Sequence, residues 1–182
     1  MTGTEKPLDH ADLKKLLRFS LTEKKVIQEL GIPGEAFIPL LFSIRFGGDW
    51  SLAEKTGRFM AIKEKVTRFD EEEMVGRTLE IVYLFLNPSV LREEGTVYRL
   101  EKCSSRNERE LVKRPYRVLV DGDYILRAVL DPLDLKIRLK RIEGPLEFTG
   151  SGAYGVAHEM EHLRCVEAEG TPFWEFEYEI ED

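Results

Sequence analysis

Apolar residues recur at helical intervals in the first part of the chain and at strand intervals later. Leu13, Leu16 and Leu17 are spaced as one face of an amphipathic helix over residues 9 to 19. Ser20 and Glu23 then form the S-x-x-E pattern of a capping box ahead of Val26, Ile27 and Leu30, with Gly31 and Pro33 as stop signals. The helical region continues into the apolar stretch AFIPLLFSIRF, where Pro39 is expected to interrupt it. Gly47-Gly48 marks a turn, and the charged run Asp70 to Glu73 reads as a solvated helix start or loop.

From Glu80 the period shortens. EIVYLFLNP has the pattern of a buried strand closed by Asn87-Pro88. YRVLV (116–120), YILRAVL (124–130) and LKIRLKRI (135–142) follow as strands, separated by D-G-D and D-P-L-D turns, the first of which suggests a hairpin. LKIRLKRI alternates apolar and basic residues, as a strand with one wet face does. Gly150, Ser151 and Gly152 lead into a further helix. At the end, Trp174, Phe176, Tyr178 and Ile180 alternate with glutamates, which predicts a strand with a buried face and a solvated acidic face. The class is α+β, with strands collected around a central helix.

Composition narrows this picture. A chain of 182 residues with 42% hydrophobic and 34% charged residues is expected to form one globular domain, residues 1–182. The net charge of -7 argues against general binding of nucleic acid, direct DNA binding included, because no basic field offsets phosphate repulsion. No apolar run approaches the roughly 20 residues that span a bilayer, so no membrane partner is expected. The first residues lack a secretory pattern, and two cysteines are too few for a disulfide framework. A cytoplasmic location with reduced thiols is the expectation.

The chemistry concentrates in VAHEMEHLRC, residues 156 to 165, which holds two of the chain's three histidines. On a helix, His158 and His162 lie one above the other, about 6 Å of rise apart, and can close on one divalent ion. Glu159 is rotated by roughly 100° from His158, too far to ligate without strain but able to reach a water beside the ion. Val156, Met160, Leu163 and Val166 cluster on the side carrying Glu159, so the helix is expected to bury that side. A charged surface helix could spell the same string by chance. A third ligand decides between the two, and cysteine, histidine and carboxylate are all chemically admissible.

Upstream lie FLNP (85–88) and Glu101, Cys103 and Ser105 in E-x-C-x-S, and downstream H-E-x-E-H-L (158–163). In this order the three segments resemble the peptide deformylases, over roughly Ile81 to Val166. The resemblance implies a deformylase-like α+β fold, with antiparallel or mixed sheets around a central helix carrying H-E-x-x-H. Residues 79–182 would form the metal-binding part, and residues 1–78 a divergent, mainly helical part. It implies Cys103, His158 and His162 as ligands of one divalent ion (Fe2+, Zn2+ or Ni2+), Glu159 as general base, and Ser104 as a backbone donor to the oxyanion. The implied substrate is an N-formylated peptide or other small acylated amine, with the ribosome and nascent chain as possible partners.

The departures are specific. Lys102 stands where the family has glycine, Ser104 where it has leucine, and Glu161 where it has aspartate. Cys165, where a glycine usually follows H-L-x, is expected to be a packed thiol. The family's G-x-G-L-A-A-x-Q is missing: its place falls near residues 57 to 65, which offer only Lys63 and Lys65 as substitute donors, and Gln28 is the sole glutamine. Loss of one oxyanion donor costs about 10²–10³ in turnover. Three functions therefore compete: a divergent metal-dependent amide hydrolase, a catalytically impaired metal-binding module, and a zincin-type peptidase with a third ligand such as Glu181.

Overall fold

The computed structural model describes residues 18–102, 109–166, 171–172 and 178–179. Helices α1 (Leu21–Leu30) and α2 (Gly34–Phe46) come first, followed by strands β1 (Trp50–Glu54), β2 (Gly57–Asp70), β3 (Val75–Leu86), β4 (Ser89–Glu94) and β5 (Val97–Glu101). Strands β6 (Glu110–Arg114), β7 (Arg117–Asp121), β8 (Tyr124–Leu130), β9 (Ile137–Ile142) and β10 (Leu146–Thr149) lead to helix α3 (Ser151–Arg164) and the short β11 (Thr171–Pro172). Every pairing among them is antiparallel, in a five-stranded sheet ordered β1-β2-β3-β8-β9 and two three-stranded sheets, β10-β7-β4 and β11-β6-β5.

Side-chain alternation splits the five-stranded sheet between two cores. Phe59 and Ala61 of β2, Val82, Leu84 and Leu86 of β3, and Leu126 and Ala128 of β8 face α2 through Ala36, Phe37, Leu40 and Leu41. The opposite face carries Met60, Ile62, Phe85 and Ile125, which pack with Ala153, Val156, Met160 and Leu163 of α3 and with Val118, Val120 and Phe148. IVYLFL (81–86) is continuously apolar because both faces of β3 are covered there.

The capping box forms as expected: Ser20 Oγ accepts from Glu23 N–H, and Glu23 accepts from Ser20 N–H at 2.7 Å. Gly31 closes α1 in the left-handed conformation, φ 65°. The Asp70–Glu73 run is a turn, with Asp70 Oδ1 accepting from Glu72 and Glu73 N–H. D-P-L-D joins β8 and β9 as a hairpin, with Asp131 Oδ1 accepting from Leu133 N–H.

Three expectations need correction. Pro39 does not interrupt the helix: α2 runs through it, because residues 36 to 43 are all buried and this packing outweighs one missing backbone hydrogen bond. Residues 50–54, 57–70 and 75–78 are strand, so the described residues of the N-terminal part, 18–78, are not mainly helical; charged residues on the long β2–β3 hairpin hid its period of two. D-G-D does not close a hairpin, since β7 and β8 belong to different sheets. Asp123 N–H is taken by Leu86 O (2.9 Å) and its carboxylate by Asn87 Nδ2 (2.7 Å), which ties the segment across the end of β3.

Of the helix expected over residues 9 to 19, only Arg18 and Phe19 are described, and neither is helical. The predicted terminal strand lies outside the described residues apart from Tyr178 and Glu179, both exposed. No helix among the described residues is long and apolar enough to cross a membrane.

Phe148 joins sheet to helix, its ring 5.5 Å from that of Tyr83 and 6.0 Å from that of Phe85. Phe148→Ala is expected to cost about 3–5 kcal/mol of stability, measured by urea denaturation. A loss under ~1 kcal/mol would show that the second core closes without it.

Candidate metal centre

Helix α3 starts at Gly150, where φ is 57° and the N–H donates to Tyr116 O (2.9 Å). It ends at Cys165, whose φ of 53° is the left-handed cap conformation. This explains why a glycine suits the position. The Cys165 thiol is exposed, which corrects the expectation of a packed thiol: the helix end projects the residue beyond the core. Val166, just past the helix, is likewise exposed rather than part of the apolar face.

Between these ends, Val156, Met160 and Leu163 are buried and Glu159 is 6% exposed, while His158 is half-buried and His162 exposed. His158 Nε2 and His162 Nε2 face each other at 3.0 Å. Two nitrogens bound to one tetrahedral ion at 2.0–2.1 Å stand about 3.3 Å apart, so the imidazoles are nearly preset as a ligand pair. A Glu159 oxygen and the two histidine nitrogens lie within 4.8 Å of one another. His158 Nδ1 is buried without a hydrogen-bond partner among the described residues. Nitrogen donors at this separation, with a carboxylate alongside, fit a divalent cation.

Burial pushes Glu159 up to about 7; the nearby charge of Asp49 adds to the rise, and a hydrogen bond from Ser51 opposes it. Asp49 stands in the turn before β1, its Oδ1 accepting from Lys63 N–H at 2.8 Å. Its other oxygen presses on α3 at Gly155, where a Cβ would collide with it. Glu64 meets the same helix at Gly152, 3.0 Å from where a Cβ would stand. Burial raises the pKa of Asp49, and burial with the charge of Asp49 raises that of Glu64. An open groove of about 470 Å³, bordered by residues 63–66 together with Gly48, Asp49 and Ser151, runs beside this contact.

A buried guanidinium fastens the other side of the helix. Arg114 of β6, 3% exposed, is hydrogen-bonded through Nε (3.1 Å) and Nη2 (2.8 Å) to Glu101 and through Nη1 to Glu161 of α3. Burial opposes its charge, but the two carboxylates more than compensate and its pKa is raised. One cation thus grips both the H-E-x-E-H helix and the strand end two residues before Cys103.

Of the residues singled out from sequence, His158, Glu159 and His162 come together, while Cys103, Ser104 and Glu181 lie outside the described residues. Lys63 is not a substitute oxyanion donor. Its ammonium pairs with Glu80 (2.6 Å) and reaches Ser43 O (3.4 Å), and strand alternation turns it toward α2 rather than α3. Lys65, two residues on, points to the same face, 3.9 Å from Glu80. The upstream polar groups that do reach α3 are Asp49, Ser51 and Glu64, and sequence reasoning missed the first two. Their signal was G-G-D-W-S at 47–51, a glycine turn followed by short polar side chains, with matching glycines at 152 and 155.

No protein-family model matches the chain, and no curated protein is detectably similar in sequence. Among solved structures, a class I type b peptide deformylase from Acinetobacter baumannii overlays with a TM-score of 0.40 and 21% identity, covering 70% of this chain and 71% of that one. The overlay is loose, and the chemistry rests on the side chains of α3 and their neighbours.

Because the folded-state pKa of Glu159 lies above its ordinary value of 4.5, the unfolded chain loses this proton first as the pH rises. Its contribution to stability therefore declines between about pH 4.5 and 7 and stays low above that window. Chelator-treated Glu159→Gln is expected to exceed chelator-treated wild type by roughly 3 kcal/mol at about pH 8, a gap that closes toward pH 4.5. Urea denaturation across this range measures it; a gap independent of pH would refute the assignment.

Proposed function

We propose that this protein is a metal-dependent amide hydrolase of deformylase-like type. It removes a formyl or other small acyl group from the nitrogen of an N-terminal amino acid or peptide. The observation that carries the reading is the pair of imidazole nitrogens 3.0 Å apart, with the carboxylate of Glu159 beside them. His158, His162 and Cys103 are the proposed ligands, and Fe2+, Zn2+ and Ni2+ are all suited to two imidazoles and a thiolate. Such an ion supplies Lewis acidity, lowering the pKa of water and polarising the acyl oxygen.

Glu159 is the proposed proton carrier. A carboxyl group whose pKa is pushed up to about 7 can both accept a proton from water and return it to the leaving amine near neutral pH. Ser51 steadies it by a hydrogen bond, and burial on α3 keeps bulk water from competing. The backbone N–H of Ser104 is the proposed donor to the oxyanion. Acylated peptides, met in the cytoplasm at the ribosome or on nascent chains, are the proposed substrates.

One observation favours a second reading, a metal-binding module with little turnover: the ammonium of Lys63 is committed to Glu80 and Ser43 on the far side of the sheet. Formyl-Met-Ala-Ser and protein reloaded with Fe2+ under anaerobic conditions decide between the two. The hydrolase releases formate, and Glu159→Ala keeps a full metal equivalent while losing about 10²–10⁴ in rate. Cys103→Ser should weaken metal binding and abolish the thiolate charge-transfer band of the Co2+-substituted protein. Full metal occupancy without formate release would select the module, and wild-type protein that takes up no metal would overturn both.

A further inference from the structure

We propose that Asp49 is a positioning residue of the metal centre, strengthening cation binding at His158 and His162 without touching the cation. The inference rests on the reading of those histidines as ligands.

Three features single it out. Gly47 and Gly48, at φ 79° and 75°, turn the chain from α2 so that Asp49 points back at α3. Lys63 N–H holds Oδ1 at 2.8 Å, which fixes the carboxylate plane. Oδ2 fills the space left by the missing Cβ of Gly155, one turn before Glu159 on the ligating helix. No side chain among the described residues donates a hydrogen bond to Asp49; the Lys63 ammonium attracts it without a hydrogen bond and is paired with Glu80 at 2.6 Å.

A desolvated carboxylate whose nearest ammonium is already paired with another carboxylate is costly, and an amide side chain would anchor Lys63 N–H equally well. The charge itself therefore needs a reason. It acts attractively on His158 and lies close enough to Glu159 to raise its proton affinity. A dication shared by the two histidines would turn the cost into a gain, because attraction across a partly desolvated contact is little screened. Groups just outside the ligands commonly change metal affinity 10–100-fold when removed.

The test is Zn2+ affinity, measured by competition with a chromophoric chelator, for wild type, Asp49→Asn, Glu64→Gln and His158→Ala. Asp49→Asn keeps the Lys63 anchor and removes the charge. It should bind about 10–100-fold more weakly, with the melting temperature of the metal-free protein no lower than wild type. Glu64→Gln removes an equal charge from the same groove and should stay within about twofold. Wild-type affinity in Asp49→Asn would overturn the proposal, as would an equal loss in Glu64→Gln or a lowered metal-free melting temperature. Wild-type protein that binds no more tightly than His158→Ala would instead overturn the metal reading itself, and this inference with it.

Discussion

The close approach of α3 to the edge formed by β1 and β2 is the contact on which the site depends. A helix with a larger side chain at 155 would stand off from that edge, because Asp49 occupies the place where the Cβ would be, and at 152 a Cβ would press on Glu64 and Phe148 at 3.0 Å. With glycine there, helix and sheet come close enough for Ser51 to reach Glu159 and for Asp49 to act on both Glu159 and His158. Burial of Glu159 follows from the same approach, and its raised proton affinity follows from burial. Val156, Met160 and Leu163 supply the apolar contact that holds Glu159 close to the carboxylate of Asp49.

Arg114 secures the opposite side by a different kind of force. A guanidinium buried between Glu101 and Glu161 gains little net stability, since desolvation of three charges offsets most of their attraction. Its value is directional. The planar fork fixes Glu101 at a set orientation to the helix, so the strand end that precedes Cys103 is registered against the histidines. The centre is thus framed by anionic groups at the β1–β2 edge and by an ion triad of one guanidinium and two carboxylates that joins β5, β6 and α3. A cation between the imidazoles would meet net negative charge from the first and no unpaired positive charge from the second.

Much of this was legible in the chain. The H-E-M-E-H spacing predicts that both histidines share a helix face with Glu159 beside them, and the three side chains do lie together on α3, because helical periodicity alone sets those positions. The capping box at Ser20 and the strands at 80–86 and 124–130 were readable for the same local reason. Residues 50–78 were not, because β2 and β3 extend as a hairpin whose outer half is solvated on both faces and keeps no apolar alternation. The D-G-D segment misled because a turn sequence records a change of direction, not which sheet the next strand joins.

What the sequence determined by itself was therefore local: the capped helix α1, the buried strands around 80–86 and 124–130, and which three side chains share one turn of α3. Tertiary structure decided the chemistry around them. Asp49 stands more than a hundred positions from His158, and Arg114 lies between Glu101 and Glu161 in sequence as it does in space. Sequence spacing carries no record of the first contact, since it depends on two glycines meeting two carboxylates across a packed interface. Burial, which sets the proton affinity of Glu159, is likewise a property of the whole enclosure and of no single segment.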